Sequence, residues 1–149
     1  MNATRVSYSL QSTLASINKA EKTAAEVAAK SGFEPEECDR IALAVREAMV
    51  NAVLHAHCFD PAKRVALCFE STPESLTITV RDQGPGFDVS KVPDPIAPEN
   101  LLKSSGRGIF LIRAFMDEIR FQNMSPGTEV VMIKFVRGED RDGGKEDNQ

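Results

Sequence analysis

The sequence predicts an α+β domain, a two-layer sandwich in which a mixed, mostly antiparallel sheet is covered on one face by helices. Three observations predict it. Segments that alternate polar and apolar residues, as a strand with one buried face does, occur near both ends of the chain and in its middle. Two of them, 65–70 and 76–81, are separated only by a short turn containing Pro73, which makes them a hairpin and their pairing antiparallel. Helical spacing fills the stretch from 12 to about 57 with no strand inside it, so the regular strand–helix alternation of a parallel sheet is missing.

Residues 5–9 alternate around Val6, Tyr8 and Leu10 and read as a first strand whose edge is open to another chain. Over 12–31, Leu14, Ile17, Ala20 or Ala24, Val27 and Ala28 recur at helical spacing, and Gly32 follows where a helix takes a left-handed stop. A second helix starts after Pro35, with Glu36, Glu37 and Asp39 suiting its positive N-terminal end, and runs to about residue 55 or 57. After the hairpin, Asp82, Gly84, Pro85 and Gly86 end the strand. Residues 88–105 hold Pro93, Pro95 and Pro98 among few apolar residues, which predicts a long loop of the kind that acts as a lid. Helical spacing returns over 106–116, and two strands follow around 119–122 and 128–136, with Gly127 at the turn between them.

At 149 residues, 42% apolar and 27% charged, with no Trp, the chain supports one core. That domain is expected over 1–137. In the tail, 138–149, Glu139, Asp140, Asp142, Glu146 and Asp147 outnumber Arg141 and Lys145, and the segment is too polar to pack. With 18 Lys and Arg against 22 Asp and Glu the net charge is −4, which argues against nucleic acid as a partner. Cys38, Cys58 and Cys68 are odd in number and never spaced C-x-x-C, so no disulfide framework or four-cysteine zinc site is expected. No apolar run approaches the ~20 residues that cross a bilayer, and no signal-peptide core follows Met1, so no membrane partner and a cytoplasmic location are expected.

Three local patterns carry chemistry. The second helix is apolar nearly all round, so the polar Glu47 and Asn51 on it need an explanation. At i and i+4 they point the same way, where both could address one ligand; the alternative is a Glu–Asn hydrogen bond with a salt bridge to an Arg. Next, Asp82-Gln-Gly-Pro-Gly86 ends a strand with an acid and two glycines, which suits either a tight turn or a flat ligand such as adenine. Finally, Gly106-Arg107-Gly108 opens a helix, an anion site by virtue of its free N–H groups, or simply a flexible helix start. His55 reads as a helix-terminal hydrogen-bonding residue, and a zinc site from His55, His57 and Cys58 is a weaker alternative that lacks a fourth ligand.

Together, Glu47-Ala-x-x-Asn-Ala, Asp82-x-Gly-x-Gly86, the Gly106–Gly108 loop and Gly127-Thr128 resemble the N, G1, G2 and G3 boxes of the GHKL ATPase superfamily. Glu47-Ala-Met-Val-Asn-Ala-Val-Leu-His55, Asp82-Gln-Gly-Pro-Gly-Phe-Asp88 and Ser105-Gly-Arg-Gly-Ile-Phe-Leu-Ile-Arg-Ala-Phe-Met-Asp117 are similar to the anti-sigma factor serine/threonine kinases within it. The resemblance spans about residues 5–136. It implies the GHKL-type ATP-binding fold, with ATP and Mg²⁺ as cofactors, and with Asn51 as the single protein ligand to Mg²⁺. By the same resemblance Asp82 binds the adenine amine, Gly84 and Gly86 make room for the ring, Gly106 and Gly108 cradle phosphates beside Arg107, and Thr128 supports the adenine end. Glu47 is the implied general base, which a serine hydroxyl needs and a histidine nitrogen does not. The implied partners are an anti-sigma antagonist of STAS-like type, which is phosphorylated, a sigma factor, which is sequestered, and a second copy of the chain. The other reading is an ATP-dependent binding module that regulates a non-sigma partner without significant turnover.

Overall fold

The computed structural model describes residues 3–84, 108–124 and 126–136. The lid of 88–105 and the acidic tail, together with Gly86, Gly106 and Arg107, lie outside the described residues. Strand β1 (Thr4–Gln11) leads into helix α1 (Leu14–Lys30), where Thr13 Oγ1 accepts the Ser16 N–H at 3.1 Å as an N-cap. Helix α2 (Pro35–Val50) begins with Pro at its first turn and Glu36 and Glu37 at the positive end of its dipole. Strands β2 (Arg64–Ser71) and β3 (Ser75–Arg81) form the expected hairpin. Helix α3 (Gly108–Phe115) and strands β4 (Glu118–Asn123) and β5 (Thr128–Phe135) complete the described elements.

The sheet order is β1-β2-β3-β5-β4, and every pairing in it is antiparallel. The period of two sets which side chains meet the helices. Leu10, Val65, Leu67, Phe69, Leu76, Ile78, Val80, Val130 and Met132 are all buried and, by the registers, share one face. Their alternates, including Ser7, Cys68 and Thr79, lie on the other face, which no described helix covers. Small residues let the helices approach closely: Ala20, Ala24 and Ala28 of α1 and Ala44 and Ala48 of α2 are fully buried or nearly so. Helix α2 is central, packing against α1, α3 and β3. No described helix is long and apolar enough to cross a membrane.

The predicted elements recur with shifted ends. The first strand is longer than the alternation of 5–9 implied, because pairing with β2 extends it to Gln11 at Arg64. The last helix is described from Gly108 onward, so its expected start at 106 lies outside the described residues.

Candidate functional site

Glu47, in the last turn of α2, and Asn51, the residue that follows its end, sit one helical turn apart and are half-buried rather than enclosed. Among the described residues neither side chain has a hydrogen-bond or ion-pair partner. The structural alternative required an arginine for Glu47, and the two nearest in sequence are committed elsewhere. Arg46 Nη1 donates to Glu21 Oε1 at 3.0 Å and to Asn18 Oδ1 at 2.8 Å, while Arg40 pairs with Glu37 at 3.6 Å. Half-exposed and without partners among the described residues, this carboxylate and amide keep their hydrogen-bonding capacity open to water or to a ligand.

At Asn51 the helix widens. Residues Asn51–Ala56 form a π-helical turn, and the His57 N–H donates to the Ala52 carbonyl at 2.9 Å, five residues back. The helix thus reaches Ala56, close to the expected end, but not in one register. Ala48 and Ala52 are buried four residues apart; the five-residue step to His57 turns its imidazole inward while Leu54 and His55 face solvent. Cys58 and Phe59 then stop the helix in left-handed conformations, φ 50° and 59°, which are strained for side chains of their size.

His57 is 3% exposed and has both ring nitrogens engaged. Nε2 accepts the Gln83 N–H at 2.7 Å, so Nδ1 carries the proton and donates to Ser12 Oγ at 2.8 Å. The Ser12 hydroxyl in turn donates to the Lys63 carbonyl at 2.6 Å. This corrects the zinc alternative: His57 has no lone pair to offer, and no described His, Cys, Asp and Glu residues form a metal-holding group. Burial, partly countered by the nearby Asp82 carboxylate, holds the His57 pKa below the ordinary histidine value of 6.5. The unfolded chain therefore binds a proton that the folded chain refuses, so this contribution to stability is complete above pH 6.5 and lost as pH falls below it. The urea midpoint is expected to drop from about pH 7 to about pH 5, and to drop less in His57→Gln.

Asp82 follows the end of β3 on the sheet side. Its backbone N–H continues the β3–β5 ladder to the Thr128 carbonyl at 2.9 Å. Its carboxylate then replaces the next rung, since Oδ1 accepts the Thr128 N–H at 3.1 Å and the Gly84 N–H at 2.9 Å. Among the described residues Oδ2 has no partner, although Asp82 is only 9% exposed. One carboxylate oxygen is thus used to fix the side chain, and the other keeps acceptor capacity that no described residue uses. Two glycines make this possible. A Cβ at Gly127, φ +96°, would lie 1.9 Å from the Asp82 carbonyl oxygen, and one at Gly84 would lie 2.8 Å from Ala56 Cβ and 2.9 Å from its carbonyl oxygen. Gly84 is therefore required by contact with the π turn, a reason apart from room for a ring.

The structure thus joins Asp82, Gly84 and Thr128 through hydrogen bonds, and it brings them against the C-terminal end of the helix that carries Glu47 and Asn51. Gly108 begins the described part of α3, and the rest of the glycine loop lies outside the described residues. Missing from the sequence reading were the roles of His57 and Ser12; the only trace of them was a histidine five residues past the buried Ala52 stripe.

The sequence profile of the histidine kinase-like ATPase domain matches residues 10–134. A serine-protein kinase RsbW from Bacillus licheniformis is 35% identical over 128 residues, spanning 82% of this chain and 79% of that protein. RsbW from Bacillus subtilis is 33% identical over 123 residues, 78% and 76% of the two chains. Among solved structures, the RsbU and RsbW domains of a Mycobacterium tuberculosis protein superpose with a TM-score of 0.64 at 17% identity, covering 91% of this chain and 33% of that one. The catalytic domain of histidine kinase ThkA gives 0.58 at 14% identity, covering 91% and 98%. On its sequence, its fold and this set of residues, the chain belongs to the histidine kinase-like ATPase domain family and, within it, resembles the serine-protein kinases.

Proposed function

We propose that this protein is a Mg-ATP-dependent serine/threonine kinase that phosphorylates a small anti-sigma antagonist of STAS-like type and sequesters a sigma factor in a partner switch. The observation that carries the reading is the Glu47 carboxylate near the end of the central helix, one helical turn from the Asn51 amide, both without a partner among the described residues. A hydroxyl acceptor must lose its proton as its oxygen bonds to the γ-phosphorus and the bond to ADP breaks, and Glu47 takes that proton. Asn51 offers one neutral oxygen, which suits Mg²⁺, an ion that keeps most of its positions for water and phosphates. The metal supplies neutralisation of the phosphate charge. Asp82 Oδ2 accepts from the exocyclic amine of adenine and opposes the carbonyl oxygen that guanine has in its place. Gly86 beside the ring, and Gly106, Arg107 and Gly108 at the phosphates, belong to this proposal on the strength of the sequence motifs. So do a cytoplasmic location and a homodimer formed through the open edge of β1.

The test is transfer of label from γ-labelled ATP to proteins of the source cell. The expected result is a small protein labelled on Ser or Thr, with the label abolished by EDTA. Nucleotide binding with no labelled acceptor would replace this reading with that of an ATP-dependent binding module, and an absence of nucleotide binding would sink both.

A further inference from the structure

His57 belongs neither to the catalytic pair nor to the ligand-facing oxygen of Asp82, yet it is among the few polar side chains buried in the fold. Its three-membered network is complete, since every donor in it meets an acceptor, from the Gln83 N–H through the ring and Ser12 to the Lys63 carbonyl. Such a network specifies one arrangement of the chain rather than merely filling space. What it specifies is the peptide between Asp82 and Gln83. That peptide is flanked by the Asp82 N–H bonded to Thr128, and by the Gly84 N–H bonded to Asp82 Oδ1. The Gln83 side chain is held as well, its Oε1 accepting the Arg64 N–H at 2.7 Å.

We infer that His57 is a positioning residue for the adenine subsite: its neutral ring holds the Asp82–Gln83 peptide so that Asp82 Oδ2 meets the nucleotide, and a proton on Nε2 releases that hold. The inference rests on the reading of Asp82 as the adenine contact. A protonated Nε2 would aim a second donor at the Gln83 N–H, turning a hydrogen bond into a repulsion. The charged groups that face the ring are Asp82 at the end of β3, and Asp60 and Lys63 in the segment before β2; Ser12, from the β1–α1 junction, is uncharged. Adenine affinity and selectivity therefore fall with pH through a residue that touches neither ATP nor the acceptor.

The experiment measures ATP and GTP affinity, with Mg²⁺, for the full chain and its variants at about pH 7.5 and about pH 5, the lower value set well beneath 6.5 because burial lowers the pKa of His57. Gln at position 57 keeps a neutral acceptor that no proton can fill, and Leu removes it. Wild type is expected to lose about tenfold in ATP affinity on acidification, with its preference over GTP narrowing, as loss of one buried hydrogen bond would give. His57→Gln is expected to bind ATP within about threefold of wild type at the higher pH and to lose less on acidification, a difference that cancels the protonation of the nucleotide itself. His57→Leu is expected to bind about tenfold more weakly at both values, with kcat at saturating ATP within about twofold. Equal pH dependence in wild type and His57→Gln would overturn the inference, and that comparison still decides if His57→Leu does not fold. So would unchanged ATP affinity in a folded His57→Leu. Asp82→Asn separates the two ideas: if it binds ATP as wild type does, the adenine reading itself fails, whereas weak binding there with a silent position 57 overturns this inference alone.

Discussion

Replacing Glu47 with Ala is expected to slow phosphotransfer by about 10²–10⁴-fold, the range in which a positioned general base contributes, while Mg-ATP affinity stays within about twofold. The separation follows from the structure. Glu47 is bonded to nothing among the described residues, so its removal orphans no donor and should change the unfolding free energy by no more than about 0.5 kcal/mol. A loss of rate without a loss of binding or stability is what removal of a base alone produces. Asn51→Ala is the informative neighbour, because it should weaken Mg-ATP binding itself. Single-turnover transfer from γ-labelled ATP, beside calorimetric titration of the nucleotide, measures both quantities. A normal rate in Glu47→Ala would end the assignment of this residue as the base.

The Gly127→Ala variant should be about 3 kcal/mol less stable, which for a chain of this size lowers the melting midpoint by roughly 10 °C. Two costs combine. Ala is strained at φ +96°, and its methyl group would enter the space of the Asp82 carbonyl oxygen at 1.9 Å, against backbone that cannot rotate away. Gly32 supplies the control, having nearly the same φ of +97° but nothing within 4 Å of the added carbon. Gly32→Ala should therefore cost only the strain, about 1 kcal/mol. Differential scanning calorimetry of the two variants isolates the clash. Similar midpoints for both would mean that the β4–β5 turn shifts to absorb the methyl group. In the folded fraction of Gly127→Ala, displacement of Asp82 should also weaken ATP binding.

The sheet was legible because alternation is a local signal: Val65, Leu67 and Phe69, then Leu76, Ile78 and Val80, fall two apart and are all buried. Glu47 and Asn51 were legible for the opposite reason, as polar residues that contradict the apolar helix around them. Their half-burial was not, because a helical wheel cannot tell which flank neighbouring elements leave open, and Leu54 ends up 41% exposed. The widened turn escaped as well. Periodicity of 3.6 residues is the only helical template that the pattern supports, and a step of five is invisible to it until His57 is seen to point inward. Gly84 was read as room for a ring, whereas its contact is with Ala56, 28 residues earlier in the chain and beyond any local pattern.

The turn at Asn51–Ala56 holds one residue more than an α-helix of the same span would need. The extra residue and the wider turn therefore balance: deleting one residue from 52–56 would restore four-residue bonding and leave the histidine facing inward, four residues past Ala52. Closing the turn without a deletion would instead rotate everything after it by about 100°, swinging His57 away from Ser12 and Gln83 while leaving Glu47 and Asn51 where they are. A lineage can shorten this turn without disturbing either end of the helix, but cannot straighten it at constant length.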